Sequence, residues 1–411
     1  MTDFTRKDRL ANIGYLLIGK ETTKGTPVIP TVAIPMYEES LSTNINLDMD
    51  SPIMGNRFAR YFNFKGQRDH QGTIKVLCEP KTLPHFLNML LKKGTTTVSG
   101  SVYTHPFTLD NDTPVSKSYT IEILKGDVVF RYSGVEISKI APIFEENTLK
   151  LELTVSALSQ FSVAPISTAS GSAANNVTLA TDYDDAPNKG IVAGDTLVLV
   201  KVTGATSDTY EEVVVSAVNA NGTQITTGAI VGTYAAGDYC YIKKQTPTYT
   251  LGEPLKWSGT QFRFGATAAA ALTAIQENVE KGSSFEIIHE FEAPEGAKRS
   301  GSVDPAALVR KQGDMTVKIK KSFNDYKEYE RFISISKRAL VIRILGAIIS
   351  GSDRNELRIT INNMKLKTSP VPLTTGEIIY LDQDYSPQFD ASDAQGMAVT
   401  VINDVAAATY N

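Results

Sequence analysis

The chain has 411 residues, a hydrophobic fraction of 42% and a charged fraction of 21%, which argues for several packed domains and against disorder or a fibrous repeat. A formal net charge of -4 excludes a protein that grips nucleic acid by neutralising phosphates, because that mode needs a basic surface. No apolar run reaches the roughly 18 residues of a membrane span, and the first thirty residues lack the unbroken apolar core of a signal peptide, so cytosolic synthesis without a membrane partner is expected.

An N-terminal arm carrying Arg6, Lys7, Asp8 and Arg9 precedes the first strand candidate. Residues 42–48, 73–77, 118–124, 128–137 and 148–155 alternate or are rich in β-branched side chains, and each reads as a strand. One helix is predicted from near Pro80, with Leu83, Phe86, Leu87, Leu90 and Leu91 on one face and Gly94 as its stop. That stripe must pack on the sheet.

Residues 167–176 (STASGSAANN) hold too little apolar surface to pack and are expected to form a linker. Beyond them, residues 177–180, 196–202, 212–218, 224–227 and 239–243 are short strand candidates separated by Gly, Asn and Asp turns, a spacing that suggests a small barrel. The run ATAAAALTA at 266–274 suits a short surface helix or a tight packing seam.

From about Thr248 the chain repeats the grammar of its beginning. A strand, a long loop, a strand (GTIKVLCEP) and a helix come first, and SSFEIIHEFE, a loop of similar length, GDMTVKIKKSF and a helix follow in the same order. The second helix is expected over 324–337, with Asn324 as N-cap and Tyr326, Tyr329, Phe332 and Ile333 buried. An apolar strand and an alternating strand follow each helix (SYTIEIL and VVFRYSGVEISKI; ALVIRILGAII and ELRITINNMKL). Identity between the halves is slight, so duplication is weighed against convergence on one order, and duplication is the reading taken; such repeats favour rings or arrays.

Signs of chemistry are sparse. No Walker loop, GxGxxG, HExxH or GxSxG occurs, and His70, His85, His105 and His289 have no evident catalytic companions. Cys78 and Cys240 lack disulfide-framework or zinc spacing, and the acidic group Asp182, Asp184 and Asp185 lacks the glycine and terminal glutamate of a calcium loop. No catalytic residue, cofactor or metal is expected.

Five segments, in this order, carry a resemblance: IGKETTKGT at 18–26, the pair Glu38 and Glu39, GTIKV with its helix, YTHPF at 103–107, and SYTIEIL. Over about residues 13–162 the chain resembles the major tail tube proteins of long-tailed, non-contractile bacteriophages, and its third segment matches them in pattern. The resemblance implies a mainly β protein. Two tail-tube-type β-sandwich or half-barrel domains with flanking α-helices, at 1–165 and 247–411, would enclose a small inserted β-barrel at 166–246. Six such domains form a ring around a channel in the family, so three chains would make a trimeric ring with pseudo-sixfold symmetry.

The same resemblance implies a structural subunit of the virion tail, assembled in the host cytoplasm and partnered mainly by itself. It also implies a tape measure protein in the lumen, tail terminator and distal tail proteins at the ends, and double-stranded DNA passing without specific binding. Loops 51–69 and 294–312 become stacking candidates through Arg57, Phe58, Arg60, Tyr61, Phe62, Phe64, Lys298, Arg299 and Arg310; the alternative is that the aromatics cover their own core. The N-terminal arm is expected either to cross a neighbouring ring or to be unstructured. A lumen of net acidic character is expected, with the barrel on the exterior. The competing functions are another tail component of this fold (distal tail, terminator or contractile inner tube), an adhesive β-domain protein, and an enzyme with an unrecognised site.

Overall fold

The computed structural model describes residues 14–50, 62–109, 117–145, 147–170, 175–180, 190–202, 209–219, 223–250, 252–291, 304–305, 307–323, 326–370, 379–393 and 395–410. The first part of the chain runs β1 (Leu16–Lys20), β2 (Val32–Ile34), β3 (Met36–Glu39), β4 (Ser42–Asp50), β5 (Phe62–Leu77) and helix α1 (Leu83–Leu90). It continues through β6 (Lys92–Lys93), β7 (Thr97–Ser99), β8 (Val102–Thr108), β9 (Tyr119–Lys125), β10 (Val128–Glu145), β11 (Thr148–Ala157) and β12 (Ser159–Phe161).

β10 serves two sheets. Its first residues pair with β9 and β12, and its later ones pair with β11, which pairs in turn with β5. The change of sheet falls at a register shift between Tyr132 and Val135, where Gly134 has φ 64° and a Cβ would stand 2.6 Å from Leu158. Only glycine meets both demands without strain.

The middle of the chain is β13 (Val163–Ser170), β14 (Asn176–Leu179), β15 (Thr196–Lys201), β16 (Thr209–Val218), β17 (Gln224–Thr227), β18 (Thr233–Tyr234) and β19 (Tyr239–Ile242). Pairing runs β13, β14, β17, β16, β15, β19 and back to β13, which closes a six-stranded barrel, with β18 added on β13. Closure removes every edge within the ring. The expected linker is therefore corrected: residues up to Ser170 form a barrel strand, because backbone pairing and the buried Ala164 and Ile166 hold it where bulky side chains are lacking.

The last part is β20 (Thr260–Gly265), α2 (Ala268–Thr273), β21 (Gln276–Glu277), β22 (Ser284–Ile288), β23 (Asp314–Ser322), α3 (Lys327–Ser334), β24 (Arg338–Ser350), β25 (Asp353–Thr368), β26 (Tyr380–Pro387) and β27 (Met397–Asn403). The Thr267 side chain caps α2, and Ala271 packs against Ala339 and Val341, so the alanine run is both a short helix and a seam.

The two outer parts share one pairing scheme. The antiparallel contacts β1–β2, β1–β9, β9–β10, β10–β12, β10–β11, β11–β5 and β5–β4 recur as β20–β21, β20–β24, β24–β25, β25–β27, β25–β26, β26–β23 and β23–β22. Even a bulge is repeated, between Ile137 and Lys139 in β10 and between Leu366 and Thr368 in β25.

One apolar core runs through both outer parts, from Leu16, Ile18, Ile74 and Val76 to Phe262, Phe264, Val317 and Ile359. A second core fills the barrel and reaches Tyr15, Leu17, Leu124 and Val129 on the far face of β1, β9 and β10. Those strands are covered on both faces, which is why SYTIEIL reads as nearly continuous apolar sequence.

Candidate assembly interface

The two outer parts join edge to edge. β10 pairs with β22 through Lys139 opposite Ile288 and Ile140 opposite Ile287, and the His289 N–H donates to the Ser138 carbonyl at 2.8 Å. This joint completes a continuous sheet in the order β4, β5, β11, β10, β22, β23, β26, β25. A second link is made by β8, which pairs with β27 along Tyr103 to Thr108.

Side chains alternate across this sheet. Leu149, Leu151, Leu153, Val155, Phe285, Ile287, Met315, Val317 and Ile319 face the core, and polar residues face the other way. Charge on the polar face comes in opposed pairs: Lys75 across from Glu152, Lys318 from Asp384, Lys320 from Asp382, and Lys139 bonded to Glu286 at 3.0 Å. Within these four pairs the charges balance.

Among the described residues both ends of the sheet are open: β4 pairs only with β5, and beyond Met364 β25 pairs only with β26, because β24 reaches no further along it. Unpaired edges of this length are a liability in a lone chain.

Arg310, a stacking candidate in the sequence, is committed inside the chain. It is 3% exposed at its side chain and donates to the carbonyls of Ile137 (2.9 Å), His289 (3.0 Å) and Met89 (2.6 Å) and to Glu136 (2.9 Å). Lys24 closes on the same carboxylate and also donates to the Leu308 carbonyl at 3.2 Å. The described part of the second long loop thus clasps its own chain, and Arg310 pins α1 to the joint. Arg57, Phe58, Arg60, Tyr61, Lys298, Arg299 and the arm residues Arg6, Lys7, Asp8 and Arg9 lie outside the described residues, while Phe62 and Phe64 are placed by their backbone at the start of β5.

The second helix also departs from expectation. α3 spans eight residues, and Tyr326, Tyr329 and Ile333 are exposed, Tyr326 at 76% and Ile333 at 66%. The cause is ionic: Glu328, on the helix's inner side, binds Arg338 at 3.0 Å and Arg331, while Lys321 and Arg338 both close on Glu277. Burial alone would raise the Glu328 carboxyl, but Lys321, Arg338 and Arg331 hold it below its ordinary range. With charge turned inward, the apolar stripe is left outside, although Phe332 still packs on the core.

Three of the four histidines are tied into the fold. His70 contacts Thr43 (2.8 Å) and Asp304 (3.4 Å), His105 contacts Thr96 (3.0 Å), Asn403 (3.1 Å) and the Val405 carbonyl (3.1 Å), and His85 lies edge-on to Tyr119 and Tyr410. Burial, helped by Lys20 and Lys93, lowers His85 to about 4. Both cysteines are buried, and burial pushes the Cys240 thiol up to about 12.

One constellation was missed in the sequence. Arg131 is fully buried and bonded to Glu122 (2.9 Å) and to both oxygens of Asp195 (2.6 and 2.9 Å), with Tyr15 donating to Glu122 at 2.7 Å. It ties β10 to the barrel. Tyr15 and Asp195 are remote in sequence from Glu122 and Arg131, which sit in largely apolar strands, so only the charges within SYTIEIL and VVFRYSG hinted at it. No protein-family model matches the chain, and comparison with curated proteins finds no match.

Proposed function

We propose that this chain is the ring-forming subunit of a non-contractile phage tail tube, with each outer part acting as one of six ring positions. The observation that carries the reading is the repeated pairing scheme, in which one continuous sheet ends, among the described residues, in an open edge on each side. A contact between two different edges is heterologous, and it closes as a ring where its rotation divides the circle and runs on as an open filament where it does not.

Three copies bring about two dozen strands into one barrel, wide enough for a channel, since barrels of about 16–18 strands already leave one. The polar face then lines the lumen. Lys75, Lys139, Lys318 and Lys320 each face a carboxylate, so these four offer passing phosphates no free ladder of cations, which is compatible with the lining of net acidic character expected from sequence. The barrel packs on the far face of β1, β9 and β10, away from the polar face, which suits an exterior position. A tape measure protein, end-capping tail proteins and transiting DNA follow from the family resemblance as partners of such a tube.

Negative-stain microscopy of the purified full chain tests the reading. Hollow polymers with three-fold end views are the expected result. A chain that stays monomeric in sedimentation at high concentration overturns it.

A further inference from the structure

The joint between the two outer parts is also a template. Since β10 and β25 carry the same bulge, Ser138 corresponds to Lys367, Lys139 to Thr368 and Ile140 to Ser369. Following the registers through β11 and β26, then β5 and β23, matches Ile287 with Thr43, Ile288 with Asn44 and His289 with Ile45. The open edge of β25 is thus equivalent to the edge of β10 that holds β22, and β4 is equivalent to β22.

We propose that β4 of a second copy of this chain adds to the open edge of β25, with Asn44 opposite Thr368, Thr43 opposite Ser369, and the Ile45 N–H on the Lys367 carbonyl. This rests on the ring-forming reading above and supplies its contact.

Three features of the described chain converge on that contact. Ser369 is 8% exposed, yet among the described residues its hydroxyl has no hydrogen-bond partner, as expected of an edge awaiting its neighbour. Ile45 is an apolar side chain 47% exposed on an edge strand. The third is α3: Met89 and Leu91 at the end of α1 are buried beside the internal joint, and the equivalent Ile333 and Ile335 are exposed. His289 lies at the end of α1, where Arg310 links its carbonyl to that of Met89. Ile45 of the incoming copy takes the place of His289, at the end of α3. Two apolar surfaces without cover in one copy are brought together by the register that pairs the strands.

Cysteine pairing tests the register, because directly opposed strand residues lie within disulfide reach, and the native Cys78 and Cys240 are buried and do not compete. Full-length chains carrying Asn44→Cys alone and Thr368→Cys alone are mixed and oxidised, which avoids any strain within one chain. The expected result is a covalent dimer from this mixture, trimers from the Asn44→Cys/Thr368→Cys double variant, and at least ten-fold less product from the shifted pair Ser42→Cys and Thr368→Cys. Equal product from both pairs, or none from either, overturns the register.

Ile45→Glu and Ile333→Glu give an independent measurement, since both side chains are exposed in the single chain. Each is expected to keep its urea midpoint while shifting the sedimenting species to monomer. Unchanged assembly in both overturns the docking. Polymers that form without the matched cross-link defeat this joint and leave the tube reading standing, whereas cross-linked rings that never stack defeat the tube reading and leave the joint.

Discussion

Helices α1 and α3 occupy equivalent places after equivalent strands, and both are eight residues long. All eight residues of α1 are buried, held by the joint, by Arg310 and by Tyr410, while only Glu328 is buried in α3. The same fold position is therefore finished in one half by the rest of the chain and left unfinished in the other. A helix with Tyr and Ile outward and Glu inward makes little sense in an isolated domain, and good sense in a repeating unit whose next neighbour supplies the cover.

The largest effect is expected where the halves differ most, at the barrel that only the first half carries. Arg131→Met leaves Glu122 and Asp195 buried without their cation, and removing one partner from such a network costs about 3–5 kcal/mol. Urea unfolding of the full chain measures it. A loss below about 1 kcal/mol would mean that water reaches these carboxylates.

The helices themselves give the next contrast. Met89→Ala empties space in the core and should cost about 2–5 kcal/mol, whereas Ile333→Ala at the equivalent site should stay within about 0.5 kcal/mol in the unassembled chain. Similar losses at both sites would break the comparison.

Acid sharpens it further, because His85 in α1 is replaced by Tyr329 in α3. Burial lowers His85 to about 4, and His105 and His289 are also lowered, each by burial first. The unfolded chain binds protons that the folded chain refuses, so this stability is complete above the ordinary histidine pKa and is lost as pH falls toward 4. His85 alone accounts for about 3 kcal/mol over that range, and His85→Gln should flatten the slope of urea midpoint against pH.

The smallest expected effect compares two glycines with positive φ. Gly134→Ala meets Leu158 as well as backbone strain and should cost about 1–3 kcal/mol. Gly351, with φ 58° and open space around it, should cost about 1 kcal/mol when replaced by Ala. Melting temperatures rank the two.

Much of this was legible in the residues. Alternation placed β4, β5, β9, β10 and β11 and most barrel strands, and the repeated order of elements anticipated the repeated pairing. Local pattern could not reveal that β13 is a strand, because its small residues are held by neighbours distant in sequence. Nor could it orient α3, whose apolar spacing is the same whichever way it faces; Lys321, Arg338 and Glu277 decide that from outside the helix. Arg310 looked available for a neighbour because it stands in a long loop, and its four partners come from three separate segments.

The most direct measurement is a reconstruction of the assembled chain at a resolution that separates strands. Three chains per ring should appear, with six similar lobes and with the strand pairing between chains matching that of β10 and β22 within a chain. A ring built from another number of chains, or one in which β4 and the end of β25 remain solvent-exposed edges, would contradict the idea that each chain carries its assembly contact folded inside itself.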